Sequence, residues 1–474
     1  MSEKLQRTIS TRGLFSLAFG SIIGVGWVTV LGHWLEQAGP LGSVTAFALG
    51  GALMAAVALC YAELISAMPV AGGEIAYAYR AFGTGKSFWI GWLLAFGYIA
   101  VAAFEAAAIG RVLSYLWPEL PGPLLYRFFG SDVHLGQLVS GLLFTAIIFW
   151  INRRGARFSA NVQIVVTFLL ICTGAVFACA GLLSARTEHL QPLFAPGGTA
   201  VALQGILVVF VSVPLWFVGF DVIPQVAEEA HASVSPRKLG QLILMAVGWA
   251  TLFYVVVILA ASAVTPWQGL VGESLATATA FERAFSSSIL ADLVLWTVLA
   301  GLFTSWNGFF VAGTRVLFAL GRARLVSPRL AAVHERYGTP HVAIGIVGTV
   351  TALSCFLGEK AMLIFVNISS LCLALAFLGV SLSTARLRVT APEMPRPYRL
   401  PGRLGVPIIA AIGSLLIVSA LVLPFSPARL RWPVEWILFG GWCLFGAVLW
   451  RLAAPTRSAV PEAERARRIL QQGE

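Results

Sequence analysis

Long apolar stretches with almost no charge recur along the whole sequence, and they restrict what this chain can fold into. We distinguish twelve of them, at residues 14–35, 42–65, 86–112, 137–151, 159–183, 202–225, 241–264, 288–320, 342–358, 361–386, 406–425 and 435–454. A helix needs roughly 20 apolar residues to cross about 30 Å of hydrocarbon. Lipid offers backbone groups no hydrogen-bond partner, so such stretches predict helices, whereas a barrel would show short alternating segments. The sequence therefore predicts an all-α membrane protein with 12 transmembrane helices.

The composition leaves too little polar surface for a water-soluble domain. Hydrophobic residues make up 58% of the 474 residues, and charged residues make up only 11%. A soluble protein of this size needs more polar surface to face water. The lipid bilayer is therefore the first partner that the sequence implies.

The positive charges are distributed unevenly between the two sides of the predicted membrane domain. With the N-terminus placed in the cytoplasm, 25 of the 32 lysines and arginines fall in inner segments and 7 in outer ones. Such an excess on the inner side is the usual sign of cytoplasmic loops. We expect a multi-pass protein of the plasma (inner) membrane with both termini in the cytoplasm. The net charge of +11 then reflects topology, and no nucleic-acid partner is expected.

The cysteines and histidines indicate neither a metal site nor catalysis. All six cysteines fall inside apolar stretches and lack the paired spacing of a disulfide framework. The six histidines lie in loops or at the ends of stretches, away from any serine or metal-binding cluster. We expect no enzyme activity, no metal and no cofactor, apart from a coupling ion discussed below. The oligomeric state cannot be derived from the sequence.

Two of the apolar stretches contain residues that interrupt helices. The first includes the sequence Gly20–Trp27, with three glycines, and the sixth includes Pro214–Pro224, with a glycine and an aspartate between two prolines. Glycine costs a helix interior about 1 kcal/mol, and proline costs about 3 kcal/mol. In lipid, a break is tolerated only where the freed amides and carbonyls face protein, water or a ligand. Close packing of helices on Gly20 and Gly24 is the alternative explanation for the first stretch.

The two interrupted stretches open two halves of opposite orientation. Breaks at corresponding positions of such halves are typical of inverted-repeat transporters with a site near the membrane midplane. We predict a 5+5 inverted repeat with discontinuous helices 1 and 6, plus two extra helices. The predicted segments are a cytoplasmic N-terminal segment, the first repeat, the second repeat, the two extra helices and a cytoplasmic tail, at residues 1–13, 14–183, 202–388, 406–454 and 455–474.

A series of short motifs resembles the amino acid–polyamine–organocation (APC) family of transporters over nearly the whole length. In chain order the motifs are Tyr61-Ala62-Glu63-Leu64, Pro69 to Glu74, Gly91-Trp92, Phe217 to Asp221, Ser235-Pro236-Arg237, Arg315 to Leu320 and Arg396 to Gly402. The resemblance implies a secondary active transporter, or permease, that moves amino acids by alternating access as a symporter or an exchanger. It also implies a substrate site between the first, third, sixth, eighth and tenth spans.

Backbone groups freed at the two breaks suit the charged groups of an amino acid. The amides at the first break, aided by a helix dipole, can donate to a carboxylate. Freed carbonyls can accept from an ammonium group. The amide candidates are Gly24, Val25 and Gly26, and the carbonyl candidates are Ile22, Leu215, Trp216 and Val218. We expect Gly219 to belong to the same break, and Trp216 and Phe217 to form an aromatic lid over the substrate.

Two carboxylates lie in the middle of predicted spans. Asp221 is either a proton-titrating or gate-coupling group, or a cap for amides freed at the break. Glu105 either contacts a substrate amine or carries a proton, or else it reaches a hydrogen-bond partner in another span. Both are therefore candidate site residues.

The coupling ion stays open between sodium and a proton, and uncoupled exchange is a third possibility. Many proton-coupled members of the family carry a lysine in the fifth span, where this sequence has Leu170. The hydroxyls of Thr304 and Ser305 could help to bind sodium, although such hydroxyls often bond to their own helix. A proton would instead use Asp221 or Glu105.

Two alternatives to amino acid transport stay open at this point. An organic amine such as ethanolamine or a polyamine would rely on Asp221 or Glu105 and would not need the amides of the first break. A channel would conduct without saturation by a small substrate. Charged residues flanking the inner loops form either an inner gate or a solvated face, and these are Glu63, Glu74, Arg80, Glu228, Glu229, Arg237 and Lys238.

Overall fold

The protein is almost entirely helical in the computed structural model, which describes residues 5–273, 275–285, 288–426 and 428–471. The helices are α1 (Thr11–Ile22), α2 (Gly26–Thr29), α3 (Leu31–Ala67), α4 (Gly73–Phe82), α5 (Thr84–Leu116), α6 (Leu135–Arg153), α7 (Ala156–Leu183), α8 (Thr199–Trp216), α9 (Val222–Val226), α10 (Pro236–Val264), α11 (Ala276–Phe285), α12 (Ser288–Arg322), α13 (His341–Ser354), α14 (Glu359–Thr390), α15 (Gly405–Val422), α16 (Val434–Leu452), α17 (Ala454–Ser458) and α18 (Glu462–Leu470). Two short strands, β1 (Leu124–Phe128) and β2 (Ser131–His134), pair antiparallel.

Eleven helical segments in the described ranges are long and apolar enough to cross a membrane. These are α1 with α2, then α3, α5, α6, α7, α8, α10, α12, α14, α15 and α16. The stretch predicted at 342–358 falls on α13, which is apolar but shorter than the others, with 14 residues. The chain is thus a multi-pass α-helical membrane protein, and the count of twelve crossings stays a prediction.

The first two predicted spans are joined without a loop. Helix α3 runs through Gly39, whose φ of 70° is not helical, and continues with Pro40. A Cβ on Gly39 would lie 2.7 Å from the backbone of Phe194, so the kink also allows a close approach. The physical cause is the pair itself, since glycine permits a positive φ and proline cannot donate to the preceding turn.

The small sheet is the one departure from an all-α fold within the described residues. It lies in the segment that connects α5 to α6. Tyr126 of β1 donates from its hydroxyl to the carbonyl of Phe356, 2.6 Å away, and so ties the hairpin to the segment after α13. Open strand edges are excluded from lipid, and the exposure of β1 places the hairpin outside the hydrocarbon.

The helices differ strongly in how much of their surface the protein covers. Over their most apolar stretches, α5 and α12 are each 78% buried, whereas α16 is only 11% buried. Large apolar side chains such as Phe168, Leu207 and Leu444 stay exposed, as expected of a surface in contact with lipid. Helices α1, α5 and α12 therefore form the interior of the bundle, and α7, α8 and α16 lie at its periphery.

Both ends of the described chain lie on one face of the molecule. The amides of Thr8 and Ile9 donate to the carbonyl of Glu229, each over 2.9 Å, and α18 packs against α4 and α12. We call the face formed by residues 5–9, 227–231, α4 and α18 the termini face. It closes one end of the helix bundle, below the two helix breaks described next.

Candidate functional site

The first break lies between α1 and α2. Helix α1 begins at a regular cap, where the hydroxyl of Ser10 accepts from the amide of Gly13, and it ends at Ile22. Helical structure resumes at Gly26, so the predicted interruption is present. The amide of Gly24 donates to the carbonyl of Ile22 over 3.1 Å. The amides of Val25 and Gly26 stand at the start of α2, where a helix offers its first N–H groups no internal partner.

The second break lies between α8 and α9, where the sixth span was predicted to be interrupted. Helix α8 ends at Trp216, and α9 begins at Val222. Gly219 in the connecting turn has a φ of 131°, a conformation that side chains disfavour. Of the predicted site residues here, Leu215 and Trp216 are half-buried, whereas Phe217 and Val218 are buried.

The two breaks touch each other. A Cβ on Gly219 would lie 2.7 Å from the amide nitrogen of Ile22, and a Cβ on Gly26 would collide with the ring of Trp216. The backbone of the first break therefore lies directly against the second break. The placement of their amides and carbonyls around one small ligand stays a prediction.

Tyr254 of α10 connects the two breaks. Its hydroxyl lies 3.3 Å from the carbonyl oxygen of Ile22 and 3.2 Å from that of Trp216. These two carbonyls are among those predicted to accept from a substrate ammonium. The tyrosine was not predicted, because its hydroxyl in an apolar stretch does not reveal which distant backbone groups it reaches.

Asp221 follows the second break and is fully buried. Its Oδ1 accepts from the amide of Gly219 over 2.8 Å, and its Oδ2 accepts from the hydroxyl of Tyr98 over 2.6 Å. The carboxylate thus caps an amide freed at the break, which is one of the two roles proposed for it. Tyr98 was missed, although it lies two helical turns before Glu105 and so on the same face of α5.

Glu105 of α5 lies next to the first break. It is 4% exposed, and its Oε1 accepts from the hydroxyl of Ser305 over 2.8 Å. The same oxygen lies 3.6 Å from the position of a Cβ on Gly24. Glu105 of α5, Ser305 of α12 and the first break therefore converge, which brings together three elements that the sequence assigned to the site.

Thr304 does not point at Glu105. Its hydroxyl lies 3.0 Å from the carbonyl oxygen of Gly20 and 2.9 Å from that of Gly301 on its own helix. A Cβ on Gly301 would in turn lie 2.7 Å from the carbonyl oxygen of Ile23. These oxygens are the type of ligand that hard cations prefer, and they lie between α1 and α12.

Gln163 of α7 fills the space beside this oxygen cluster. Its amide nitrogen donates to the carbonyl of Ser16 over 3.2 Å and to that of Thr304 over 3.0 Å. Leu170, which the sequence analysis placed where a coupling lysine was looked for, is fully buried. An uncharged amide thus joins α1, α7 and α12, and sequence reasoning missed it because glutamine is not a distinctive signal.

The termini face is closed by arginine–carboxylate pairs. Arg315 contacts Glu229 through two bonds of 2.8 and 3.0 Å, and both side chains are almost fully buried. Arg322 lies 2.7 Å from Glu228, and Arg388 reaches Glu63 over 2.9 Å. The prediction of charged residues at an inner gate is consistent with these pairs. Arg80 and Arg237 are exposed and Lys238 is half-buried, and each has the alternative role of a solvated residue.

The fold and the site define a class of protein before any comparison is made. A multi-pass helical bundle with two touching helix breaks, flanked by buried carboxylates and closed on one face, is the architecture of a carrier for a small solute. A family model described as amino acid permease matches residues 9–449. The chain belongs to this family, and its resemblance to APC transporters is confirmed.

Several characterised proteins resemble the chain over most of its length. Amino-acid permease RocC of Bacillus subtilis (strain 168) is 28% identical over 395 residues, 80% of each chain. Branched-chain amino acid permease BcaP of the same organism is 28% identical over 464 residues, 95% of this chain and 93% of its own. The methylthioribose transporter of that organism is 27% identical over 463 residues, 95% of this chain and 94% of its own.

Proposed function

We propose that this protein is a secondary active transporter that carries amino acids by alternating access, as a symporter or an exchanger. The contact between the two breaks is the observation that carries the proposal. The carbonyls of Ile22 and Trp216 meet at one tyrosine hydroxyl, and the amides of Val25 and Gly26 begin the helix that follows Ile22. This arrangement suits an ammonium and a carboxylate on the same carbon atom. The amino acid permeases among its relatives support the same substrate class.

The side chain of the amino acid would extend toward Trp216, whose ring lies against Gly26. Trp216 also packs edge-on against Trp34, with ring centroids 5.6 Å apart. An aromatic side chain in this place can cover a bound solute and exclude water from it. We therefore assign Trp216 the role of a lid, with Phe217 behind it as a packing residue.

Thermal stabilisation of the detergent-purified protein tests the proposal. A ligand that binds the native state alone stabilises it, by about 2.7 kcal/mol at 100 times its Kd. We expect one or more of the standard amino acids to raise the unfolding temperature, and their decarboxylated amines to raise it less. Labelled substrate should then exchange across liposome membranes with saturation. Absence of any shift with every amino acid would contradict the proposed site.

A second candidate substrate is an organic amine such as ethanolamine or a polyamine. The position of Glu105 favours it, because a carboxylate beside Gly24 would repel the carboxylate of an amino acid and attract an amine. The matched pair of an amino acid and its amine separates the two candidates. Stronger stabilisation by the amine, lost on Glu105→Gln, would replace the first proposal with the second.

The coupling ion belongs to the same set of experiments. The oxygens around Thr304 provide a candidate sodium site, and the buried carboxylates provide candidate proton sites. Sodium coupling predicts that sodium strengthens substrate stabilisation and that Thr304→Val removes this effect. Proton coupling predicts a dependence on pH instead, and exchange without coupling predicts neither.

We further propose the plasma (inner) membrane as the location, with the termini face in the cytoplasm. The excess of lysine and arginine in segments on this side supports the orientation. The 5+5 inverted repeat is part of the proposal, supported by breaks that open residues 14–183 and residues 202–388. Alternating access would then move one repeat against the other around the contact between the breaks.

A further inference from the structure

Glu74 occupies an unusual place for a carboxyl group. It lies in the first turn of α4, a helix outside the membrane-spanning set, and it is fully buried beneath the second break. Its Oε2 accepts from the side-chain amide of Gln225 over 2.5 Å. Its Oε1 has no hydrogen-bond partner among the residues that the structure describes. A buried carboxylate oxygen without a donor is costly, whereas a protonated carboxyl loses most of that cost.

Gln225 connects Glu74 to the carboxylate at the break. Besides Glu74, its amide nitrogen lies 3.3 Å from the hydroxyl of Tyr98 and 3.3 Å from the carbonyl oxygen of Asp221. Tyr98 in turn donates to the carboxylate of Asp221. Glu74 and Asp221 are therefore two ends of one buried hydrogen-bonded group that spans from α4 to the break.

The groups that face Glu74 do not include a partnering cation in the described part of the chain. Tyr77 of its own helix, Tyr61 of α3 and Tyr98 of α5 surround it, and Asp221 is the charged residue whose field acts on it. On α12 and α14, Arg315 pairs with Glu229, Arg322 with Glu228 and Arg388 with Glu63, and Arg386 lies over the ring of Phe82. On α18, Arg468 pairs with Glu464, Arg465 donates to the carbonyl of Val460, and Arg467 is exposed. Burial, together with the negative charge of Asp221, raises the pKa of Glu74 to about 8.

We propose that Glu74 and Asp221 form a proton-binding site, in which one proton on Glu74 is carried with the substrate through the transport cycle. This inference rests on the proposed function and extends it by naming the coupling ion and its site. Gly219, which donates to Asp221, packs against the backbone of Ile22 at the first break, so the proton site and the substrate site share a turn. Glu74 is distinct from the residues that the sequence assigned to coupling.

The step is a simple acid dissociation. While the termini face is closed, the carboxyl of Glu74 holds its proton, because it is buried beside Asp221 and the amide of Gln225 alone does not compensate a negative charge there. Opening of this face admits water to Glu74. The O–H bond then breaks, water accepts the proton, and the carboxylate that remains is hydrated. After the empty carrier has returned to the outward-facing state, water on the outer side supplies the next proton to Glu74, which makes proton binding a condition for carrying substrate inward.

Infrared spectroscopy of the substrate-free protein provides the first test. In a detergent without carbonyl groups, the C=O stretch of a protonated carboxyl is followed as pH is raised. We expect a band that disappears well above the ordinary pKa of glutamate and that is absent in Glu74→Gln. Glu119→Gln, which changes an exposed glutamate, should keep the band. Asp221→Asn should move its disappearance to lower pH, because a like charge has been removed.

Two results of this test would overturn the proposal. One is wild-type protein without a protonated carboxyl above neutral pH. The other is a band that survives in Glu74→Gln and is lost in Asp221→Asn, which would place the proton on the aspartate alone. Because no substrate is present, neither result depends on whether the carrier transports amino acids. Elution of each variant as a single species on gel filtration confirms that it is folded.

Proton movement in liposomes provides the second test. The amino acid that stabilises the wild-type protein most is added outside vesicles that contain a pH-sensitive dye, with the membrane potential clamped. We expect the interior to become acidic with the wild type and Glu119→Gln, and not with Glu74→Gln. Acidification of equal extent in Glu74→Gln would contradict the proposal, as would uptake by the wild type without acidification.

Discussion

Among individual residues, the partners in the buried arginine–carboxylate pairs depend on each other. Arg315 is 1% exposed, and Glu229 is fully buried. Removing two such charges from water costs several kcal/mol per ion, and the bidentate geometry offsets this cost. The pair therefore joins α12 to the segment after α9 firmly, but only while both partners are present.

Arg315→Met should destabilise the protein by about 3–5 kcal/mol, because it leaves the charge of Glu229 buried without a partner. The double change Arg315→Met with Glu229→Leu should recover a large part of this loss. Thermal unfolding in detergent measures both. Arg127→Met, which breaks the exposed pair with Asp132 in the hairpin, serves as the control and should change stability little. Equal effects of Arg315→Met and Arg127→Met would contradict this interpretation.

The sequence predicted only some of the buried polar residues around the two breaks. Asp221 and Glu105 stand out in the sequence because a charge in an apolar stretch is rare. Glu74 was predicted only as a residue of an inner gate or of a solvated face, since a glutamate in a loop motif is usually solvated, and only the packing of α4 under the break buries it. Pairs such as Glu63 with Arg388 join residues more than 300 positions apart, and neither residue identifies its partner from the sequence.

Among the elements, the two broken helices depend on glycine for different reasons. Gly26 leaves room for the ring of Trp216, whereas Gly219 both adopts a positive φ and lies against the backbone of Ile22. Backbone atoms cannot move aside as a flexible side chain can. The turn between α8 and α9 is therefore the less tolerant of the two.

Gly219→Ala should lower stability by about 1–3 kcal/mol from backbone strain and should also abolish substrate stabilisation by separating the breaks. Gly248→Ala in α10 is the matched control, because its Cβ would meet nothing within 4 Å. That variant should be neutral or gain roughly 0.5–1 kcal/mol from helix propensity. Unfolding temperatures of both variants, with and without the substrate, measure these effects. Unchanged substrate binding in Gly219→Ala would contradict the role proposed for the contact between the two breaks.

Element positions were predicted well where composition alone determines them. The long apolar helices and both breaks follow from hydropathy and from the glycines and prolines. The direct passage of the first span into the second through Gly39 and Pro40 was not predicted, because a glycine–proline pair usually marks a loop. The hairpin of β1 and β2 was also missed, since strands of four and five residues give a weak pattern.

For the whole molecule, stability should fall as pH rises from about 4.5 to about 8. The pKa of Glu74 is raised from 4.5 to about 8 in the folded state, so the folded state holds a proton that the unfolded state has released. The contribution of Glu74 to the free energy of unfolding is therefore fully present below about pH 4.5. It declines between about pH 4.5 and about pH 8 and is lost at higher pH. The unfolding temperature of wild type relative to Glu74→Gln should follow this course. A difference that is independent of pH would refute it.

The two faces of the molecule should be accessible from opposite sides of the membrane. In a cysteine-free background, Arg467→Cys in α18 and Arg127→Cys in the hairpin each place one thiol on an exposed position. An impermeant maleimide added to intact cells should label Arg127→Cys, and Arg467→Cys should react only after the membrane is opened. Labelling of Arg467→Cys in intact cells would reverse the proposed orientation.

The hydroxyl of Tyr254 has one hydrogen and two carbonyl neighbours, Ile22 and Trp216. It can donate to one of them at a time, and rotation about the C–O bond transfers the hydrogen from one break to the other without moving any heavy atom. An ammonium group has three hydrogens and can satisfy both carbonyls at once. A solute with this group would release the tyrosine from both breaks, so that the two half-helices would be joined through the cargo instead of through the protein.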